Sequence, residues 1–168
     1  AAPAPAAADG GVAGTVLVVD DNEPNRDMLS RRLQRLGYRI LTAENGVQAL
    51  DALQREAVDV VLLDVMMPAL DGYGVLERRQ ADARLRDIPV IMISAVDEIE
   101  SVARCIILGA EDYLPKPFNP VLLRARLDAC LERKRRRDAE VAYLRDVARI
   151  TEAAAALEAK AFDPSSLA

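Results

Sequence analysis

From Thr15 onward, short runs of β-branched and apolar residues alternate with amphipathic stretches of about 10 to 15 residues, the signature of repeated strand–helix units. The runs TVLVVD (15–20), YRILTA (38–43), VDVVLLD (58–64), IPVIMIS (88–94) and DYLP (112–115) predict five strands, the second being the weakest. The first, third and fourth are continuously apolar, as strands covered by helices on both faces must be. Between them, Pro24 to Leu36 carries Met28, Leu29, Leu33 and Leu36 at helical spacing, with proline in the first turn and Gly37 just past the end. Gly46 to Arg55, Gly72 to Ala83 and Asp97 to Leu108 predict three more helices, the last closed by Gly109.

Strand-to-strand crossovers of this length are right-handed, which builds a doubly wound parallel sheet. The expected fold is therefore α/β: a flavodoxin-like (βα)5 three-layer sandwich with strand order 2-1-3-4-5. After Asn119 a helical pattern runs from Pro120 to about Ala161, roughly 60 Å at 1.5 Å per residue, too long for one compact domain of this size. Its first part, with Leu122, Leu123, Leu127 and Leu131, is expected to pack on the sheet and the rest to project. The predicted organisation is a disordered tail over 1–13, a globular domain over 14–136, and a helical stalk or coiled-coil linker over 137–168 leading to an output domain. Within the stalk, Tyr143, Val147, Ile150, Ala154, Leu157 and Ala161 repeat with spacings of four and three, a short heptad seam suited to parallel pairing.

Composition narrows the function classes. With 168 residues, 51% hydrophobic and 29% charged, the chain can bury one core, and its net charge of -5 repels nucleic acid phosphates and anionic lipid. The run ERKRRR (132–137) has no interleaved aromatics and reads as a solvated helix face, so direct nucleic acid binding is not expected. The longest apolar runs fall far short of a membrane span, and the Ala- and Pro-rich start lacks the pattern of a secretory signal. Histidine is absent, and Cys105 and Cys130 lack metal-ligand spacing, which excludes zinc and histidine-based catalysis. Both cysteines read as inert buried thiols, consistent with a reducing, cytoplasmic setting.

The chemistry lies where such sheets bind ligands, at the carboxyl ends of the strands. Strand one ends in Asp20 and Asp21, strand three in Asp64 and strand four in Ser94, and strand five runs into Lys116. Each has an ordinary reading alone: acids in turns, a serine closing a strand, a solvated lysine. Together they form a site. Three carboxylates within a few ångströms repel by about 4 kcal/mol per pair at 4 Å, so a cation belongs among them, and a hard divalent ion such as Mg²⁺, with Mn²⁺ as an alternative, suits oxygen donors. An aspartate at such a site can attack phosphorus and form an aspartyl phosphate, and Asp64 on the central strand is best placed for it. Asp20 and Asp21 would hold the metal, Lys116 would add a second positive charge, and Ser94 a hydroxyl.

The blocks VLVVDDN, LLDVMMPALDG, VIMISA and GAEDYLPKPF, spanning about residues 14 to 135, resemble the signature blocks of response-regulator receiver domains of bacterial two-component systems. The resemblance implies metal binding by Asp20, Asp21, Asp64 and the backbone carbonyl of Met66, phosphorylation of Asp64, and phosphate sensing by Ser94 and Lys116. It further implies that Tyr113 swings inward on activation and that the Lys116–Pro117 peptide is cis. The implied donor is a sensor histidine kinase or phosphotransfer protein. The signal would leave through the Ser94/Tyr113 face and the C-terminal helix, either of which could pair two copies. The terminal FDPSSLA, where Pro164 breaks the helix, is similar to the connector of a HAMP-type module.

Two other classes stand beside this reading. A Mg²⁺-dependent phosphohydrolase of the haloacid-dehalogenase type places a second aspartate two residues after its nucleophile, where this chain has Met66. A binding-only pseudo-receiver lacks one or more of the acids or the lysine, and none is missing here. Met66 is also apolar where many receiver domains are polar, which predicts a slower or differently tuned loss of the phosphoryl group.

Overall fold

The computed structural model describes residues 13–95 and 99–162. Its strands are β1 (Thr15–Val19), β2 (Arg39–Ala43), β3 (Val60–Leu63), β4 (Val90–Ser94) and β5 (Asp112–Pro115), all parallel, in the order β2-β1-β3-β4-β5. The helices are α1 (Glu23–Arg35), α2 (Gly46–Arg55), α3 (Gly72–Ala81), α4 (Ile99–Ile107) and α5 (Pro120–Ala161). The expected flavodoxin-like architecture is the one observed. Several element ends differ from the sequence reading by one or two residues, and two of the differences have a visible local reason. Strand β3 starts at Val60 because the Asp59 carboxylate is turned back to accept the Thr15 amide at 2.7 Å. Helix α3 stops at Ala81, its last turn closed by the Asp82 amide donating to the Arg79 carbonyl.

Every residue of β1, β3 and β4 is buried, while the edge strand β2 buries only Ala43 fully. Alternation along the buried strands divides the core into two layers. On one face Leu17, Val19, Val61, Leu63 and Met92 meet Ala49 and Leu53 of α2, Val75 and Leu76 of α3, and Cys105 of α4. On the other, Val16, Val18, Leu62, Ile91 and Ile93 meet Leu29 and Leu33 of α1 and Leu123, Leu127, Cys130 and Leu131 of α5. Both cysteines are buried, and neither is in a disulfide. Met28 and Leu122, assigned to the buried faces from sequence, are instead exposed, at 46% and 42%. Each is adjacent to a leucine that takes the inward position, and a step of one residue rotates a side chain about 100° around the helix.

The chain divides into two units, one ending at Leu131 and the other beginning at Glu132. The second unit carries the remainder of α5, in which every residue from Arg135 to Ala161 is exposed and Lys134 pairs with Asp138 at 2.8 Å. Among the described residues, no helix is long and apolar enough to cross a membrane. The tail over residues 1–12, the expected start of α4 at Asp97, and the FDPSSLA ending after Phe162 lie outside the described residues.

Candidate functional site

Strands β1 and β3 are neighbours, with Val19 opposite Leu63, so the residues that follow them, Asp20 and Asp64, emerge side by side. The Asp64 amide donates to the Val19 carbonyl at 3.0 Å and the Asp20 amide to the Ala43 carbonyl at 3.2 Å, which extends the ladder to the site itself. Asp20 and Asp64 are buried and Asp21 is exposed, and one carboxylate oxygen from each lies within 4.8 Å of the others. Lys116, just past β5, sends its Nζ between the two buried acids, 2.8 Å from Asp20 Oδ2 and 3.2 Å from Asp64 Oδ2. Its own amide donates to the Ser94 carbonyl at 2.8 Å, and its peptide bond to Pro117 is cis.

The remaining carboxylate oxygens are held by backbone. Asp20 Oδ1 accepts the Asn22 amide at 2.9 Å, and Asp64 Oδ1 accepts the Met66 amide at 3.3 Å. Asn22 is also the N-cap of α1, accepting from the Asn25 amide at 3.0 Å, so one residue both starts the helix and aims Asp20. Arg26, in the first turn of α1, donates from Nη1 to the Asp20 carbonyl at 2.8 Å and pairs more loosely with Glu44 at 3.6 Å.

The loop after Asp64 is packed to the limit. Gly72 donates its amide to the Val65 carbonyl at 2.8 Å, and a Cβ at this position would lie 2.5 Å from the Asp64 carbonyl oxygen. Ala69, in the same loop, holds a left-handed φ of 66°, and the Leu70 carbonyl accepts the Gly46 amide at 3.2 Å, which ties the loop to α2.

Three carboxylates against one ammonium leave the site net negative. Burial pushes the Asp64 carboxyl above its ordinary range; Lys116 pulls it back and Asp20 pushes it up again, with the net shift upward. For Lys116, burial is the largest influence and favours the neutral amine, but the hydrogen bond to Asp20 and the charges of Asp64 and Asp20 together outweigh it and raise its pKa. All-oxygen donors with residual negative charge fit a hard divalent cation.

Asp20, Asp21, Asp64 and Lys116 thus converge as the sequence suggested. Ser94 is buried at the end of β4, where its backbone fixes Lys116. Tyr113, opposite Met92 in the β4–β5 register, is half-buried against the core layer that α2, α3 and α4 cover. Sequence reasoning missed Arg26. A signal was present, since Arg26, Leu29 and Leu33 share one helical stripe with spacings of three and four, and all three are buried.

Comparison with known proteins agrees with this geometry. A family model described as the response regulator receiver domain matches residues 16–128. A probable transcriptional regulator, ycf27, of Guillardia theta is 44% identical over 118 residues, covering 70% of this chain and 45% of that protein. The phosphate regulon transcriptional regulatory protein PhoB of Pseudomonas aeruginosa is 40% identical over 129 residues, covering 77% of this chain and 56% of its own length. The chain therefore spans about half the length of the curated relatives it matches. Among solved structures, the receiver domain of a Pseudomonas aeruginosa sensor histidine kinase, with a magnesium ion coordinated in its active-site cleft, aligns with a TM-score of 0.66 at 31% identity over 71% of this chain and 98% of that one.

Proposed function

Since this chain belongs to the response regulator receiver domain family, whose members act in phosphorylation-dependent signalling and are regulatory rather than catalytic, we propose that Asp64 is its phosphoacceptor. The observation that carries this reading is the Lys116 ammonium lodged 2.8 Å from Asp20 and 3.2 Å from Asp64 at the carboxyl edge of the sheet. The donor is a phosphohistidine on a sensor kinase or phosphotransfer protein. An Asp64 carboxylate oxygen attacks phosphorus, the P–N bond breaks, and the imidazole nitrogen leaves with the bonding pair, to be protonated from solvent.

Asp20, Asp21 and Asp64, together with the Met66 carbonyl, would hold Mg²⁺ or Mn²⁺. When bound, the ion supplies positive charge to the phosphoryl oxygens. Lys116 is already half-buried and directed at Asp64, so little reorganisation is needed for it to meet an oxygen of the new phosphoryl group. Ser94 offers its hydroxyl to the same group, and inward movement of Tyr113 carries the change to the α4–β5–α5 side. The chain's own chemistry is confined to acquiring and losing this one group, in the cytoplasm, with output through the C-terminal helix.

The test is phosphotransfer from an autophosphorylated histidine kinase domain carrying a labelled phosphoryl group. Label should move to the wild-type chain in the presence of Mg²⁺, be released by hydroxylamine as an acyl phosphate, and fail to reach Asp64→Asn. Equal labelling of that variant would remove Asp64 from the role.

A further inference from the structure

We propose that the α5 segment from Tyr143 to Ala161 docks against the same segment of a second copy of this chain, as a parallel, in-register two-stranded coiled coil. The inference does not depend on phosphorylation of Asp64. Its starting point is exposure: Tyr143 and Leu157 are 67% and 69% exposed, Ile150 is 69% and Val147 is 41%, all on one continuous helix. These four, with Ala154 and Ala161, fall on a single stripe, since their spacings alternate four and three. Four of the five large apolar residues in this segment share that line although every position around it is solvated.

The residue types bear on the occupant. With Val147, Ala154 and Ala161 at heptad position a and Tyr143, Ile150 and Leu157 at position d, β-branched Val147 at a and Leu157 at d match the two-stranded parallel preference, whereas β-branched Ile150 at d departs from it. A second copy meets this stripe with an identical one under a two-fold axis, so each layer contacts itself and no separate complementary partner is required.

The flanking charges permit this arrangement. In the parallel register, position g of one helix faces position e of the next heptad on its partner. That sets Ala139 beside Leu144, Asp146 beside Thr151, and Ala153 beside Glu158 of the second copy, so no like charges meet. Leu144, itself 58% exposed, widens the apolar contact at the first of these pairs. The acidic and basic residues Arg149, Glu152 and Lys160 stand outside the six seam positions.

The length of the seam sets its strength. Nineteen residues at 1.5 Å per residue give a contact about 28 Å long with two small alanine layers, below the area of a standard stable interface. Pairing should therefore be reversible, with a dissociation constant on the order of 10 μM or weaker rather than nanomolar.

Sedimentation equilibrium of the full chain over a wide concentration series tests the claim. Wild type should show a reversible monomer–dimer equilibrium, and Leu157→Glu should weaken it at least tenfold while circular dichroism reports an unchanged receiver unit. Mild oxidation supplies the second arm, because Cys105 and Cys130 are buried. Ile150→Cys should cross-link to a disulfide dimer, whereas Glu152→Cys, on the outer face, should not. A wild type that stays monomeric at several hundred micromolar overturns the proposal. So does a Leu157→Glu chain that dimerises as wild type does, which would move the interface to another surface, or cross-linking that favours position 152.

Discussion

Replacing Lys116 by methionine isolates the electrostatics of the site. In the metal-free protein the ammonium contacts two buried carboxylates at 2.8 and 3.2 Å. At an effective dielectric near 20, each contact carries on the order of 5 kcal/mol of Coulomb attraction, much of it offset by desolvation. Removing one partner of a buried pair costs about 3 to 5 kcal/mol, and the lower end applies here because the lysine side chain is 21% exposed. Lys116→Met should thus lose about 3 kcal/mol in chelator at neutral pH, a fall of about 10 °C in unfolding midpoint.

The electrostatic origin leaves two further marks. Added Mg²⁺ should raise the midpoint of the variant more than that of wild type, because an ion at about 100 times its dissociation constant contributes about 3 kcal/mol and replaces the missing charge. The deficit should also depend on pH. Asp64 has a raised pKa, so its contribution to stability is fully present below its unfolded value of 3.8 and is lost as pH rises through its folded value. Without Lys116 that folded value rises further, so the gap between variant and wild type opens as the carboxyl ionises and narrows on acidification. Lys116, also raised, contributes below its unfolded value of 10.5 and loses that contribution as pH rises through its folded value, so the gap closes again in strong alkali. Thermal scans from acid to alkali, with chelator or Mg²⁺, measure all three. A deficit below 1 kcal/mol, or one indifferent to both pH and Mg²⁺, would reduce Lys116 to a packing element and refute the reasoning.

Asp64→Asn should raise the metal-free unfolding midpoint at neutral pH, since it removes a carboxylate whose ionised form the fold disfavours, and the gain should fade as the pH approaches 3.8. Gly72→Ala should cost about 2 kcal/mol in denaturant titration, because its Cβ would sit 2.5 Å from the Asp64 carbonyl; a neutral effect would mean that the loop relaxes freely. Met66, 63% exposed and two residues beyond Asp64, cannot orient water through a polar group. Met66→Asn should shorten the acyl-phosphate lifetime by about tenfold, equivalent to about 1.4 kcal/mol of barrier, as followed by the decay of labelled protein.

The parts of the fold that could be read from sequence are those where burial leaves no choice. Val16 to Val19, Val60 to Leu63 and Val90 to Ile93 are sealed on both faces, so their apolar runs are unbroken and the strands can be recognised even where their first residues are misjudged. Because Asp20, Asp64 and Lys116 follow directly from such runs or their neighbours, convergence of the site was legible before its geometry. The failures share a different cause. Met28 with Leu29, and Leu122 with Leu123, are adjacent apolar pairs in which either member fits a helical period, and only the opposing sheet decides which turns inward. Arg26 was overlooked because a charged residue within a buried stripe looks like its edge, and its partner is a backbone carbonyl that sequence does not display.

Intact mass spectrometry after incubation with acetyl phosphate and Mg²⁺ bears most directly on the central claim. Wild type should gain the mass of a single phosphoryl group, fail to gain it when the ion is chelated before the donor is added, and show the modification on the peptide containing Asp64, while Asp64→Asn gains nothing. Phosphoryl mass on Asp64→Asn, or its absence from a folded wild-type chain under the same conditions, would contradict the account.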